Sequence, residues 1–179
     1  GGVVQGTAES LAGLVLATLK NEATRFVYGA NTSSVDMKSM LVCYGAPEWY
    51  KTVAMYADMG KYYKLPSWGT AGCSDAFFVD AQAAMEAYEG IVFALQSGST
   101  LVHDVGYLAH GELYDTRMLV LTDAMIGRAK HILKAVDLSE ANLAVDVINE
   151  VARHDDLYLA QPHTAERFRE SLWMPPTFI

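Results

Sequence analysis

The sequence has no basic block: 13 lysines and arginines are scattered singly against 21 acidic residues, for a net charge of −8. The electrostatic footprint of a nucleic-acid binder is therefore missing, and an anionic membrane surface is disfavoured for the same reason. Cysteine is scarce. Cys43 and Cys73 lack disulfide-type spacing and read as reduced thiols. The histidines, His103, His110, His131, His154 and His163, show no HExxH or other standard ligand spacing, so no metal is assigned, and a metal site would have to be assembled from distant residues. Absence of GxGxxG, Walker A, GxSxG and CxxC motifs weakens dinucleotide, nucleotide, hydrolase and thioredoxin readings. The apolar run Leu11 to Leu19, interrupted by Gly13 and Thr18, is too short to span a bilayer. No basic segment precedes it to make a signal peptide, so the expectation is a cytoplasmic chain with no membrane partner.

What is present is apolar and periodic. A hydrophobic content of 51% in 179 residues is enough for one globular domain with a buried core. Thr7 is positioned to cap a helix from Ala8 to about Lys20, and Phe26 to Tyr28 form a β-prone run closed by Gly29. The polar stretch Asn31 to Ser39 reads as a long loop rather than a hairpin. Pro47 opens a helix that Leu65-Pro66 stops, and Ser67 to Gly72 is a strand candidate chiefly by its place between two helices. Asp80 caps a helix with an apolar stripe from Ala81 to Leu95 that Gly98 terminates, and Leu101-Val102 restart an extended run reaching His103 and Asp104. Leu113 to Leu121, Asp123 to Ala135 and a Ser139-capped segment from Glu140 to about Arg153 are predicted helical. Leu157 to Ala160 is the last strand, and the tail begins with a polar turn and ends at Pro175-Pro176.

This alternation of helix and strand predicts an α/β fold with parallel strands and outer helices. Four strands cannot close a (β/α)8 barrel, so the chain reads as half of one or as a partial chain. Such folds gather active groups at the carboxyl ends of their strands, where loops converge and helix N-termini present donors. Those ends supply Asn31, Ser33, Ser34 and Asp36; Cys73, Ser74 and Asp75; His103 and Asp104; and Gln161, His163 and Thr164. Turns and caps favour the same polar types, so the pattern alone does not separate an active face from ordinary turn chemistry. Asp75 is the sharpest candidate: a carboxylate after Gly72 that serves either a cationic or proton-bearing ligand or a helix cap, although Asp80 is available for that cap. Neighbours on a strand face opposite sides, so His103 and Asp104 are not expected to form a dyad. His163, in a Gln-Pro-His-Thr turn, reads equally as acid, base or cap. Aromatic residues crowd one third of the chain. Trp49, Tyr56 and Tyr63 fit a core, while Tyr44, Trp68 and Phe77 lie near strand ends, where rings beside a carboxylate can hold a quaternary ammonium group.

The segments LAGLVLATL, FVYGANTSSVDMKS, YGAPE, GCSDAFFVDAQAAMEA, LVHDVGYL and HTAERFRESLWMP follow one another from Leu11 to Pro175. Together, in that order, they resemble the trimethylamine methyltransferase family. The resemblance implies a TIM barrel, residues 1–179 being the C-terminal half of its domain. The implied activity moves a methyl group from a methylated amine to the Co(I) of a corrinoid protein. No cofactor is then bound tightly by this chain; the corrinoid (cobalamin) is carried by the partner, and a homo-oligomer is expected. Archaeal trimethylamine enzymes of the family carry pyrrolysine at the position matched here by Phe77, after Ser74, Asp75 and Ala76. Phenylalanine cannot form the pyrrolysine imine adduct, so the resemblance implies the branch without pyrrolysine, some members of which demethylate quaternary amines such as glycine betaine. Asp75 and Phe77 are the implied catalytic positions, and Asp36, Tyr44, Trp68, Ser74, His103, Gln161 and His163 the substrate contacts. The competing reading is a non-catalytic half-barrel module that binds a small cation, with another barrel enzyme as a more distant third.

Overall fold

The computed structural model describes residues 1–175; the end of the tail, including Pro176 of the Pro175-Pro176 pair, lies outside them. The chain divides into two compact units, Gly1–Ala129 and Lys130–Ile179, with the division falling inside one helix.

The first unit opens with helix α1, Gly2–Lys20. It begins well before the expected cap, because Thr7 is not a cap: it is buried inside the helix, with its hydroxyl 2.8 Å from that of Tyr28. Starting upstream also lengthens the apolar stretch. At 19 residues, with a mean hydropathy of 1.3 over its most apolar window, α1 is long and apolar enough to cross a membrane by length and composition, which corrects the reading of that run as too short. Gly6 and Thr7 are buried, while Val4, Leu16 and Leu19 are exposed.

The segment after Gly29 is a small antiparallel hairpin, β1 (Ser34–Val35) with β2 (Val42–Cys43), and not a structureless loop. Its turn is built by Asp36, whose carboxylate accepts from the amides of Lys38 (3.3 Å) and Ser39 (2.9 Å) and from the Ser39 hydroxyl (2.6 Å). An aspartate that bonds backbone two and three residues on supplies the turn that propensity alone does not.

Helix α2, Pro47–Tyr63, starts at proline as expected and ends on Lys64 in the left-handed conformation. It buries Trp49, Tyr50, Val53, Tyr56, Ala57 and Gly60. Strand β3 (Trp68–Thr70), helix α3 (Ala81–Ser97) and strand β4 (Leu101–His103) follow. β3 and β4 are parallel, Gly69 opposite Val102, and Tyr28 joins the other edge of β3 through a parallel bridge to Ser67. Phe26 to Tyr28 is therefore a single bridge and not a full strand, although it stands where the alternation put it. Helices α2 and α3 pack on each other and on β3. The cores beneath them are Trp49, Tyr50 and Val53 on one side and Ala71, Ile91, Ala94 and Ala129 on the other.

Leu113 and Tyr114, expected to start a helix, instead form strand β6, antiparallel to β5 (Tyr107–Leu108). Asp115 then accepts the amide of Arg117 at 2.8 Å. One helix, α4 (Thr116–Ile132), runs through the two helices expected there, burying Met118, Thr122, Ala124 and Ala129.

The second unit carries α5 (Glu140–Leu143), α6 (Val145–His154) and α7 (Pro162–Ser171). Ser139 precedes α5 without making a side-chain cap, and Ala144 at φ +47° breaks the continuous helix expected there. Leu157 to Ala160 is not a strand: Tyr158–Ala160 is a 3-10 turn. Local polar bonds wrap it, since Asp156 accepts from the Leu157 amide and the Gln161 side chain, and the Thr164 hydroxyl donates to the Tyr158 carbonyl.

Candidate active site

The chain leaving β3 and the chain leaving β4 stay joined beyond the strands. Amide-to-carbonyl bonds run from Ala71 to His103 (3.2 Å), Gly106 to Gly72 (2.9 Å), Ser74 to Tyr107 (3.0 Å) and Ala109 to Ala76 (2.9 Å). Two turns at the carboxyl ends of parallel strands are thereby held as one surface. Gly72, at φ +75°, supplies the bend that few side-chain-bearing residues adopt.

Beneath this surface lies Glu86, only 8% exposed and set on the buried face of α3. Its carboxylate accepts from the Ser74 hydroxyl (2.6 Å), the Asp75 amide (2.9 Å) and the Gln82 side chain (2.8 Å). Three donors offset the cost of burying this carboxylate. Ser74, fully buried, donates to Glu86 and accepts from the Ala76 amide, so its oxygen is occupied inside the protein.

Asp75 reaches across the chain. Its two oxygens accept from the amides of Tyr44 (2.8 Å) and Gly45 (2.9 Å), the residues just before Ala46, the N-cap of α2. Asp80, by contrast, accepts from the Ala83 amide at 3.0 Å and caps α3 as expected. Asp75 thus places its charge at the entry of α2, the positive end of that helix. Nδ1 of His110 lies 3.0 Å from Asp75 Oδ1 and 2.8 Å from the Val42 carbonyl. Both partners can only accept, so this nitrogen carries the proton. The imidazole is placed by three successive left-handed residues, Ala109 (φ +49°), His110 (φ +61°) and Gly111 (φ +88°). Phe77 stands at the rim, 59% exposed, with its ring edge-on to His110 at 6.1 Å.

A second group gathers at the end of β4. His103 Nδ1 lies 2.7 Å from Asp104 Oδ1, so the two do meet, against the expectation from strand alternation. Alternation holds only while the chain is extended. Asp104 leaves the strand at φ +68°, which turns its carboxylate back to His103 and to the Thr70 hydroxyl at 3.2 Å. The Trp68 indole packs on His103, with ring centroids 4.7 Å apart. Tyr44 lies edge-on to Trp49 at 4.8 Å, and burial, then the charge of Asp104, pushes its phenol pKa up. Burial also pushes the Cys73 thiol up, with Asp104 adding to it, so that sulfur stays protonated and is a poor nucleophile.

Asp75 is therefore brought together with the Tyr44 amide and His110, with Phe77 edge-on to that imidazole and Ser74 beneath on Glu86, while Trp68 meets His103 and His103 meets Asp104. Asp36 serves the hairpin turn, and the Ser39 hydroxyl, then the amides of Ser39 and Lys38, hold its carboxyl below the usual range. Gln161 and His163 belong to the second unit, where His163 Nε2 is 2.8 Å from the Ala141 carbonyl; since Leu157 to Ala160 is no strand, neither lies at a strand end. Sequence reasoning missed His110 and Glu86 as site residues. Glu86 was detectable as a lone charge at the helical spacing of buried Ala83, Ala87 and Gly90. His110 left only a weak mark, a polar residue preceding a glycine. Among the described residues no group of three or more His, Cys, Asp or Glu side chains is placed to hold a metal ion.

Parallel extended segments joined through helices, with carboxylates, imidazoles and rings gathered where the strands end, define an α/β protein whose polar groups occupy the face that carries ligand sites in this class. More narrowly, the chain belongs to the trimethylamine methyltransferase family: the profile described as "Trimethylamine methyltransferase (MTTB)" matches residues 1–178. The resemblance read from the spaced segments is thereby borne out. Trimethylamine methyltransferase MttB of Desulfitobacterium hafniense strain DSM 10664 / DCB-2 is 31% identical over 94% of this chain and 34% of its own length. Glycine betaine methyltransferase of Desulfitobacterium hafniense strain Y51 is 30% identical over 94% of this chain and 35% of its own. Trimethylamine methyltransferase MttB of Methanosarcina barkeri strain Fusaro / DSM 804 is 31% identical over 84% of this chain and 30% of its own. The chain thus spans about a third of the length of the curated relatives it matches.

Proposed function

We propose that the protein carrying this sequence is a methyltransferase that moves a methyl group from trimethylamine or a quaternary amine such as glycine betaine to the Co(I) of a corrinoid carried by a partner protein. In this reading residues 1–179 are the C-terminal half of a TIM barrel, and the parallel sequence Tyr28, β3, β4 is a run of its strands. The observation that carries the proposal is the arrangement at the strand ends: an exposed Phe77 ring beside a carboxylate and imidazole pair, in a chain of this family.

The reaction is a displacement at carbon. The Co(I) electron pair forms the carbon–cobalt bond, the carbon–nitrogen bond breaks, and its electron pair stays on the amine, which leaves neutral from a quaternary substrate. A tetraalkylammonium nitrogen has no lone pair to activate, so the protein's task is to hold the cation in line with its acceptor. Phe77 and Trp68 supply ring surface for the cation, Tyr44 backs the site, and the charges of Asp75 and Asp104 favour it there. Phenylalanine at position 77 has no electrophilic imine to trap a free amine, which favours a quaternary substrate over trimethylamine.

The test mixes full-length protein, the reduced corrinoid protein and each methylated amine, and follows the cobalt spectrum. Conversion of Co(I) to methyl-Co(III), dependent on one amine and lost in Phe77→Ala, is the expected result. No conversion with any methylated amine from a folded full-length protein would sink the proposal.

A further inference from the structure

Asp75 is already committed. Both of its oxygens accept backbone amides, one also receives His110, and its own amide is held by the buried Glu86. A carboxylate pinned in this way is suited to orienting a neighbour. The neighbour is His110, whose ring is fixed at one nitrogen by Asp75 and the Val42 carbonyl. Its other nitrogen, Nε2, has no hydrogen bond among the described residues, the side chain is 17% exposed, and the Phe77 ring stands edge-on to the imidazole. Residues with a side chain adopt positive φ at a cost in energy that the surrounding bonds must supply, and Ala109 and His110, followed by Gly111, which adopts it freely, serve to present this one ring.

We infer that His110 is a further residue that meets the substrate, through Nε2 and at its anionic end, and that Asp75 and Glu86 position it. The inference rests on the methyl-transfer reading above and deepens it. With Nδ1–H spent on two acceptors, Nε2 is the ring nitrogen left for a ligand, and an imidazolium presents there an N–H matched to an anionic oxygen. Phe77 borders the same imidazole and offers a face for a cation. A ligand satisfying both carries a quaternary ammonium and a carboxylate a short distance apart, which is the chemistry of a betaine; trimethylamine and choline lack the carboxylate. The Asp75 carboxylate lies on the Nδ1 side of the ring, away from the incoming anion.

Calorimetric titration of the full-length protein with glycine betaine, choline and trimethylamine separates the roles, using His110→Ala, Asp75→Asn and Phe77→Ala, each checked for folding by circular dichroism. The expected result is that His110→Ala weakens glycine betaine at least tenfold and moves choline or trimethylamine less than twofold, with Asp75→Asn giving a smaller loss in the same direction. Phe77→Ala should weaken every cation that binds. Equal losses for betaine and choline in His110→Ala would mark a structural role and overturn the inference, as would unchanged betaine binding. Wild-type protein that binds trimethylamine and refuses betaine would overturn the inference and leave methyl transfer standing; refusal of all three would remove both.

Discussion

The two units hold their polar groups in different ways. In Gly1–Ala129 the side-chain bonds span long stretches of sequence: Thr7 to Tyr28, Asp75 to Tyr44 and Gly45, Tyr50 to the Glu86 carbonyl, and His110 to Val42. In Lys130–Ile179 the hydrogen bonds of Asp137, Asp156 and Thr164 close within a few positions, His163 reaches the Ala141 carbonyl, and among the described residues Val151 alone is buried. Leu138, Val145, Leu157 and Leu159 stand exposed there. One unit is organised by a core and a buried polar network, the other by helices closing on themselves. The first has the over-determined geometry that a site needs.

The contrast can be broken most directly at Glu86. Glu86→Ala leaves the Ser74 hydroxyl, the Asp75 amide and the Gln82 side chain without their acceptor, and a loss of roughly 3 to 5 kcal/mol is expected, read by urea unfolding. Next comes Asp75→Ala, which removes two charge-assisted backbone bonds at the entry of α2, about 2 to 4 kcal/mol by the same measurement. Alkaline titration sharpens the comparison further. Burial raises the phenols of Tyr28, Tyr44 and Tyr50 above their ordinary value of 10.0. An unfolded chain then ionises first, so their contribution is intact below pH 10 and lost as pH rises through the folded values. Tyrosinate absorbance should therefore rise together with loss of the unit 1 fold, and ionisation of these phenols without unfolding would contradict the burial described. The smallest effect belongs to unit 2: Leu159→Ser, at a side chain 87% exposed, should move stability by less than about 0.5 kcal/mol. A larger change would mean that this face is covered in solution.

Much of the scaffold was legible in the chain. Asp80, Gly98 and Pro47 mark helix ends by local chemistry, and local chemistry is what a sequence displays. β3 was inferred from its position between two helices and lies there, although its Trp-Gly-Thr composition argues weakly for a strand. The misses share a cause. Thr7 looks like a cap until Tyr28 takes its hydroxyl, and Leu157 to Ala160 looks like a strand until Asp156 and Thr164 bind its ends. Asp104 meets His103 because the strand stops between them. Within the site, the sequence singled out Asp75 and Tyr44 but not Glu86 or His110, since these come to Asp75 from two other elements, helix α3 and the turn after β5.

Gly45 sits against the Glu86 carboxyl so closely that any Cβ placed on it would overlap that group. The carboxyl cannot swing aside without abandoning Ser74, Asp75 and Gln82. A side chain at 45 and the full-length acid at 86 therefore exclude each other while those bonds hold, so the two positions form one unit of change, coupled by a gap too small for a methyl group.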